Sequence, residues 1–220
     1  MADAGSTSTP SSLRRTLETV RILVRAGVLS PGRPDRIARQ LKALKTWGPT
    51  IAGGYAAATE RVPDSIAIID EDGTSTFAEM NVRGRQLALD LRRSGVREGS
   101  RVGLLCRNHS GFVQAMIACG RLGADVVLLN TGLAATQVAA SAADNDVGVL
   151  VADAEFEEAY SGLPQEVPRI TAWGEPTAPG QKVPWRATAV KEEESPVPGR
   201  PGRLVVLPSG TTGTPKGARR

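Results

Sequence analysis

The chain has 220 residues, 27 Lys and Arg against 23 Asp and Glu, a net charge of +4 and a hydrophobic share of 40%. That suits one soluble globular domain or a little more, long enough for a real core. No run of eighteen apolar residues is present, which excludes a membrane-spanning helix. Cys106 and Cys119 have neither metal nor disulfide spacing, as expected of buried, reduced thiols in a cytoplasmic protein.

The charge is unevenly placed: residues 1–60 hold nine Lys and Arg against four Asp and Glu, and the remaining 160 hold eighteen against nineteen. Residues 1–12 are rich in Ser and Thr, lack the basic-then-apolar order of a signal peptide, and read as a disordered tail. Leu13, Leu17, Val20, Val24 and Val28 then recur at helical spacing among Arg14, Arg21 and Arg25. Beyond the break at Ser30–Pro34, Ile37, Leu41 and Leu44 repeat the pattern with Arg36, Arg39, Lys42 and Lys45. Residues 13–47 thus form a basic amphipathic helical segment. Peripheral contact with an anionic membrane is one reading of it, and packing of the apolar stripe on its own domain is the other. No aromatic residue interleaves with the basic ones before Trp47, so no nucleic-acid partner is expected.

From residue 48 to 220, strand-like runs alternate with helical ones. Runs at 65–70 and 74–77 flank Glu71-Asp72-Gly73, a hairpin signal. Residues 79–94 read as a helix closed by Gly95, with Leu87 and Leu91 on the buried face. Strands are predicted at 101–106, 125–129 and 147–151, and helices at 111–122 and 134–143. A long, proline-rich connector at 162–202 contains one strand, at 169–172, and delivers a last strand at 203–207. This order predicts an α/β fold of parallel-sheet layers wrapped by helices. His109, the only histidine, stands where it would cap a helix. Asp70, Glu71 and Asp72 read as solvated turn residues rather than a cation site, and no metal ligands and no catalytic side chain are assigned within the chain.

The final strand runs into Pro208-Ser-Gly-Thr-Thr-Gly-Thr-Pro-Lys-Gly217. Glycines let backbone N–H groups approach an anion closely, hydroxyls add donors and the lysine adds charge, so this composition suits phosphate. Ser209, Gly210, Thr211, Thr212, Gly213, Thr214 and Lys216 are the candidate cradle. It is not a Walker A loop: Pro215 sits where the second glycine belongs, and Gly217 replaces the magnesium-binding hydroxyl.

The string from Ser209 to Gly217 resembles the phosphate loop of the AMP-forming, adenylate-forming enzymes, with Pro208 where members usually carry Thr or Ser. Upstream, Thr74-Ser-Thr-Phe-Ala-Glu-Met80, Gly99-Ser-Arg-Val102 and Leu122-Gly-Ala-Asp-Val-Val-Leu-Leu-Asn-Thr131 are similar to family segments. The nearest branch is the fatty-acid–CoA ligases, some of which also carry Asn-Thr at 130–131. The resemblance implies the N-terminal part of an adenylation domain, truncated after its phosphate loop. It implies ATP, Mg2+ and coenzyme A as cosubstrates and cofactor, and two steps by way of an acyl-adenylate. The isolated chain is expected to be inactive, its loop at a fraying end. The alternative is a non-catalytic module that binds a membrane or partner through its basic N-terminus.

Overall fold

Proline and glycine fix where the first described helix begins and ends. In the computed structural model, which describes residues 33–173, 197–207 and 218–219 together with 18, 21 and 22, α1 spans Pro34–Trp47. The tail at 1–12, the stripe from Leu13 to Val28, residues 174–196 of the connector and the loop at 208–217 lie outside the described residues. Pro34 occupies a first-turn position where no N–H is required. Gly48, at φ +66°, ends the helix by donating its N–H to Leu44 O at 2.8 Å. The apolar face is turned from the predicted one. Ile37 and Leu44 are half-buried and Gln40 is buried, while Leu41 is 49% exposed. Positions 37, 40, 44 and 47 share one stripe, and Leu41 lies beyond its edge, about 80° from its centre.

That next helix, α2 (Ile51–Arg61), is absent from the predicted elements. Its buried residues are Ala52, Gly53, Ala56 and Ala57, too small to give a hydrophobic periodicity yet suited to close packing. Ala52 lies against Gly120 of the fourth helix. Among the described residues no helix is long and apolar enough to cross a membrane.

The hairpin of β1 (Ile66–Asp70) and β2 (Gly73–Thr76) turns at Glu71 and Asp72, one residue tighter than the predicted Glu71–Gly73 turn, because Gly73 already pairs opposite Asp70. Helix α3 (Phe77–Arg93) starts two residues earlier than predicted because Thr76 caps it. Thr76 N donates to Glu79 Oε2 at 2.7 Å and Glu79 N to Thr76 Oγ1 at 3.2 Å, a reciprocal capping box.

The main sheet contains β3 (Arg101–Leu105), β4 (Asp125–Leu128), β5 (Val149–Asp153), β6 (Arg169–Trp173), β7 (Leu204–Val206) and β8 (Ala218–Arg219). Their order is β6-β5-β3-β4-β7-β8, with five parallel strands and β8 antiparallel at the edge. Helix α4 (Ser110–Leu122) links β3 to β4, and α5 (Ala135–Asp144) links β4 to β5. A short 3₁₀ turn at Ala154–Phe156 and α6 (Glu157–Tyr160) follow β5, neither of them predicted. Strand β5 begins two residues later than expected because Val147 N bonds Ala142 O at 2.9 Å to close α5.

Alternation along the strands divides the core in two. Val102, Leu104, Val126, Val149 and Val151 pack with Leu87 and Leu91 of α3 and Ala115 and Ala118 of α4. Leu105, Val127, Leu150 and Val205 pack with Val138 and Ala142 of α5. The central strands β3, β4 and β5 are therefore covered on both faces, as a parallel sheet requires.

Candidate functional site

Parallel strands end at a common edge of a sheet, and open α/β sheets bind ligands where successive connections diverge beyond that edge. Here the connection from β3 leads to β4 while that from β5 leads the opposite way to β6, which opens a crevice between β3 and β5. A second divergence lies between β4, whose connection crosses back to β5, and β7, whose chain moves outward to β8.

The first crevice is filled by protein. Asp153, at the end of β5, is buried; its Oδ2 accepts Arg107 N at 2.7 Å and its Oδ1 lies 2.9 Å from His109 Nε2. His109 Nδ1 accepts Phe112 N at 3.3 Å, which assigns the ring proton to Nε2 and makes His109 the N-cap of α4. Trp173, from the end of β6, stacks on the imidazole with centroids 4.5 Å apart. Because both ring nitrogens are committed to protein partners, His109 holds the start of a helix rather than a transferable proton.

Outside this pair, Arg107 grips Glu155 bidentately, with Nε and Nη2 each 2.6 Å from a carboxylate oxygen. The hydrogen bond to Glu155 raises the Arg107 guanidinium, and the bond from Arg107 lowers the Glu155 carboxyl, but both groups are exposed and the pair adds little stability. Burial pushes the Cys106 thiol well up, with Asp153 adding to it, and burial pushes Cys119 up to about 12. Neither thiol is poised as a nucleophile.

The acidic turn is divided rather than clustered. Asp70 Oδ2 accepts Ser110 N at 2.8 Å, which ties the β1–β2 hairpin to α4, and Asp70 Oδ1 accepts Asp72 N at 3.1 Å. Asp70 is thus a structural acceptor, not the solvated turn residue expected. Among the described residues no three His, Cys, Asp or Glu side chains gather as for a metal ion.

The glycine-rich loop leaves the sheet from β7, beside the second divergence. Its residues Ser209, Gly210, Thr211, Thr212, Gly213, Thr214 and Lys216 lie outside the described ones, but its two ends do not. The chain leaves the sheet after Val206 and re-enters at Ala218, with Val206 opposite Ala218 and Val205 opposite Arg219. The expectation of a loop on a fraying end is therefore corrected: an antiparallel ladder closes it. On its other side β7 pairs with β4, with Leu128 opposite Val206. Two residues on, Asn130 Oδ1 accepts Gly132 N at 2.9 Å in a tight side-chain turn.

Strand β7 is itself anchored from β4. Asp125 Oδ1 accepts Arg203 N at 2.9 Å and Arg200 Nη1 at 3.1 Å. Burial alone would raise the Asp125 carboxyl, but the bonds and charges of Arg200 and Arg203 outweigh it and hold it below the usual carboxylate value. Gly202 passes so close to the Ala124 carbonyl that a Cβ there would overlap it.

The sequence reading missed Asp153, Glu155 and Trp173. The available signal was an acid closing the apolar run Val149–Ala152, the position at which a strand end meets an edge of the sheet.

Comparison with known proteins gives a consistent pattern. The family model of the AMP-binding enzymes matches residues 55–219. Feruloyl-CoA synthase from an Amycolatopsis species is 32% identical over 168 residues, 76% of this chain and 32% of that protein. The chain thus spans about a third of the length of such curated relatives. Among solved structures, o-succinylbenzoate CoA synthetase from Bacillus subtilis, in complex with its acyl-adenylate intermediate, superposes with a TM-score of 0.58 at 28% identity. That match covers 78% of this chain and 33% of the synthetase. A fatty acyl CoA synthetase from Mycobacterium tuberculosis gives a TM-score of 0.64 over 81% of this chain and 35% of that one, at 23% identity, a likeness of fold alone.

Proposed function

The chain belongs to the AMP-binding enzyme family, and from that premise we propose that it forms the phosphate-binding, N-terminal part of an ATP-dependent acyl-CoA ligase acting on a fatty acid. The observation that carries this reading is the placement of the loop ends. A segment rich in glycine, hydroxyls and one lysine is closed by the β7–β8 ladder at a divergence of strand ends. Ordering about ten such residues costs on the order of 10 kcal/mol of backbone entropy, and fixing both ends meets part of that cost before any ligand arrives.

In the proposed reaction a carboxylate oxygen attacks the α-phosphorus of ATP, the bond to the bridging oxygen breaks and pyrophosphate departs, leaving an acyl-adenylate. The sulfur of coenzyme A then attacks the acyl carbon and AMP leaves. The loop N–H groups and the hydroxyls of Ser209, Thr211, Thr212 and Thr214 hold the β- and γ-phosphates, and Lys216 offsets their charge. Mg2+ would supply further charge neutralisation when bound. Phosphoryl chemistry of this kind rests on positioning and electrostatics more than on covalent participation by the protein. The fatty-acyl assignment rests on Asn130-Thr131 and the neighbouring segments, whereas the named relatives also include a feruloyl and a succinylbenzoyl ligase.

The test has two arms. Lys216→Ala should raise the dissociation constant for ATP–Mg at least tenfold without moving the melting temperature, since a loop lysine supplies charge and no core packing. Unchanged ATP affinity would remove the phosphate-loop assignment. In the full-length ligase, trapping acyl-adenylates as hydroxamates with fatty, hydroxycinnamic and succinylbenzoic acids reads the substrate class. Turnover of an aromatic acid and of no fatty acid would overturn the fatty-acyl reading and leave the family standing.

A further inference from the structure

Strand β4 brings the chain to the same edge of the sheet as β7. The two strands are parallel, with Leu128 opposite Val206, and neighbouring strands lie about 4.8 Å apart. Leu129 N still donates to Leu104 O at 2.9 Å, which keeps the backbone on the sheet up to the residue before Asn130. Asn130 therefore lies level with the chain's exit from β7, at the second divergence of strand ends. Leu129 is buried and Asn130 is exposed, so the asparagine stands at the rim rather than in the core.

The Asn130 carboxamide is only half used by its own turn. Oδ1 accepts Gly132 N at 2.9 Å, and because a backbone N–H needs an acceptor, that contact distinguishes the oxygen of the amide from the nitrogen. Leu133 N, 3.3 Å from Asn130 O, closes the same turn. The two N–H bonds of Nδ2 remain, and among the described residues nothing accepts them. A turn of this kind takes aspartate or serine as well as asparagine, so the turn accounts for the oxygen and not for the nitrogen. Aspartate here would bring a negative charge to the edge from which the glycine- and hydroxyl-rich segment leaves, whereas asparagine brings two neutral donors. Donors without negative charge are what phosphate oxygens require. The bond to Gly132 also fixes the side chain before any ligand arrives, which lowers the entropy lost on binding.

We propose that Asn130 Nδ2 donates to the pyrophosphate half of ATP, adding from β4 a contact to the cradle that the loop supplies from β7. This rests on the phosphate-loop reading of Ser209 to Lys216.

Asn130→Asp separates the donor from the turn, because the carboxylate still accepts Gly132 N and has nothing to donate. In the full-length ligase it should raise the dissociation constant for ATP–Mg at least tenfold, leave that for AMP within twofold and leave the melting temperature unmoved. Asn130→Ala, which removes the donor without adding charge, should raise the ATP–Mg constant at least threefold. If Asn130→Asp binds ATP–Mg as the parent does while Lys216→Ala weakens it, Asn130 serves its turn alone and the inference is overturned with the phosphate loop left standing. If Lys216→Ala is silent as well, the phosphate-loop reading falls and takes this one with it. An equal loss for AMP would move the contact to the adenylate half of the nucleotide and would also overturn the inference.

Discussion

Gly84 lies on α3 where an added Cβ would stand 2.5 Å from Cγ2 and 2.9 Å from Cβ of Ile117 on α4. Two effects oppose each other at this position. Alanine is better than glycine inside a helix by about 1 kcal/mol, while overpacking a filled core costs about 1–3 kcal/mol. Ile117 is fully buried and the obstructing atoms are at the rigid base of its side chain, so it has nowhere to turn. Gly84→Ala should therefore destabilise the chain by about 1 kcal/mol net, read as a fall of a few degrees in the melting temperature. A rise instead would mean that the helices separate without cost. Adding Ile117→Ala should couple strongly with it, because the clash disappears. Nothing in the sequence flags this glycine. Periodicity located the helix and its buried Leu87 and Leu91, but a glycine required by close helix approach cannot be told from one that is merely tolerated. His109 was more legible, since a polar residue just before an apolar helical run is a capping signal whatever else surrounds it.

At the scale of elements, β7 is the one on which the candidate site depends. It is three residues long, follows the long connector, and is held by β4 through Asp125 as well as by its ladder. The bonds from Arg200 and Arg203 depress the Asp125 carboxyl. A group with a lowered folded-state pKa contributes stability that is fully present above its unfolded value, about 3.9, and is lost as pH falls through the folded one. Asp125→Asn should thus loosen β7 at neutral pH by about 1–2 kcal/mol, the order of a charge-assisted hydrogen bond. Faster amide exchange at Val205 and Val206, with β3 and β5 unaffected, is the expected signature. The difference in stability between the two proteins should close as the pH drops below about 4. A difference that persists unchanged at pH 2 would mean that charge plays no part in the anchor. The apolar run before the glycine-rich loop revealed β7 itself. Its partner β8 has only two residues, too short for any pattern, so the closure of the loop was invisible until the register was known.

For the molecule as a whole, alternation of strand and helix was enough to read a parallel sheet wrapped by helices, because each βαβ step leaves a local signature of period and breaker residues. The strand order was not legible, and with it the polar crevice: Arg107 and His109 meet Asp153 across 46 and 44 residues of sequence, and only the placement of β5 beside β3 unites them. The same order leaves the two faces of β7 unequal. Val205 is 8% exposed and packs with the α5 layer, whereas Leu204 and Val206 are 37% and 49% exposed on the opposite face. Replacing Leu204 and Val206 together by Thr keeps the strand propensity of a β-branched residue and removes apolar surface that already meets water. The expected change in folding stability is within about 0.5 kcal/mol, with weaker binding of a hydrophobic dye and less self-association. Val205→Thr puts a hydroxyl into the packed face and should cost about 1–3 kcal/mol. Comparable losses from both variants would show that the Leu204 face is covered in solution, and the asymmetry of β7 would then have to be abandoned.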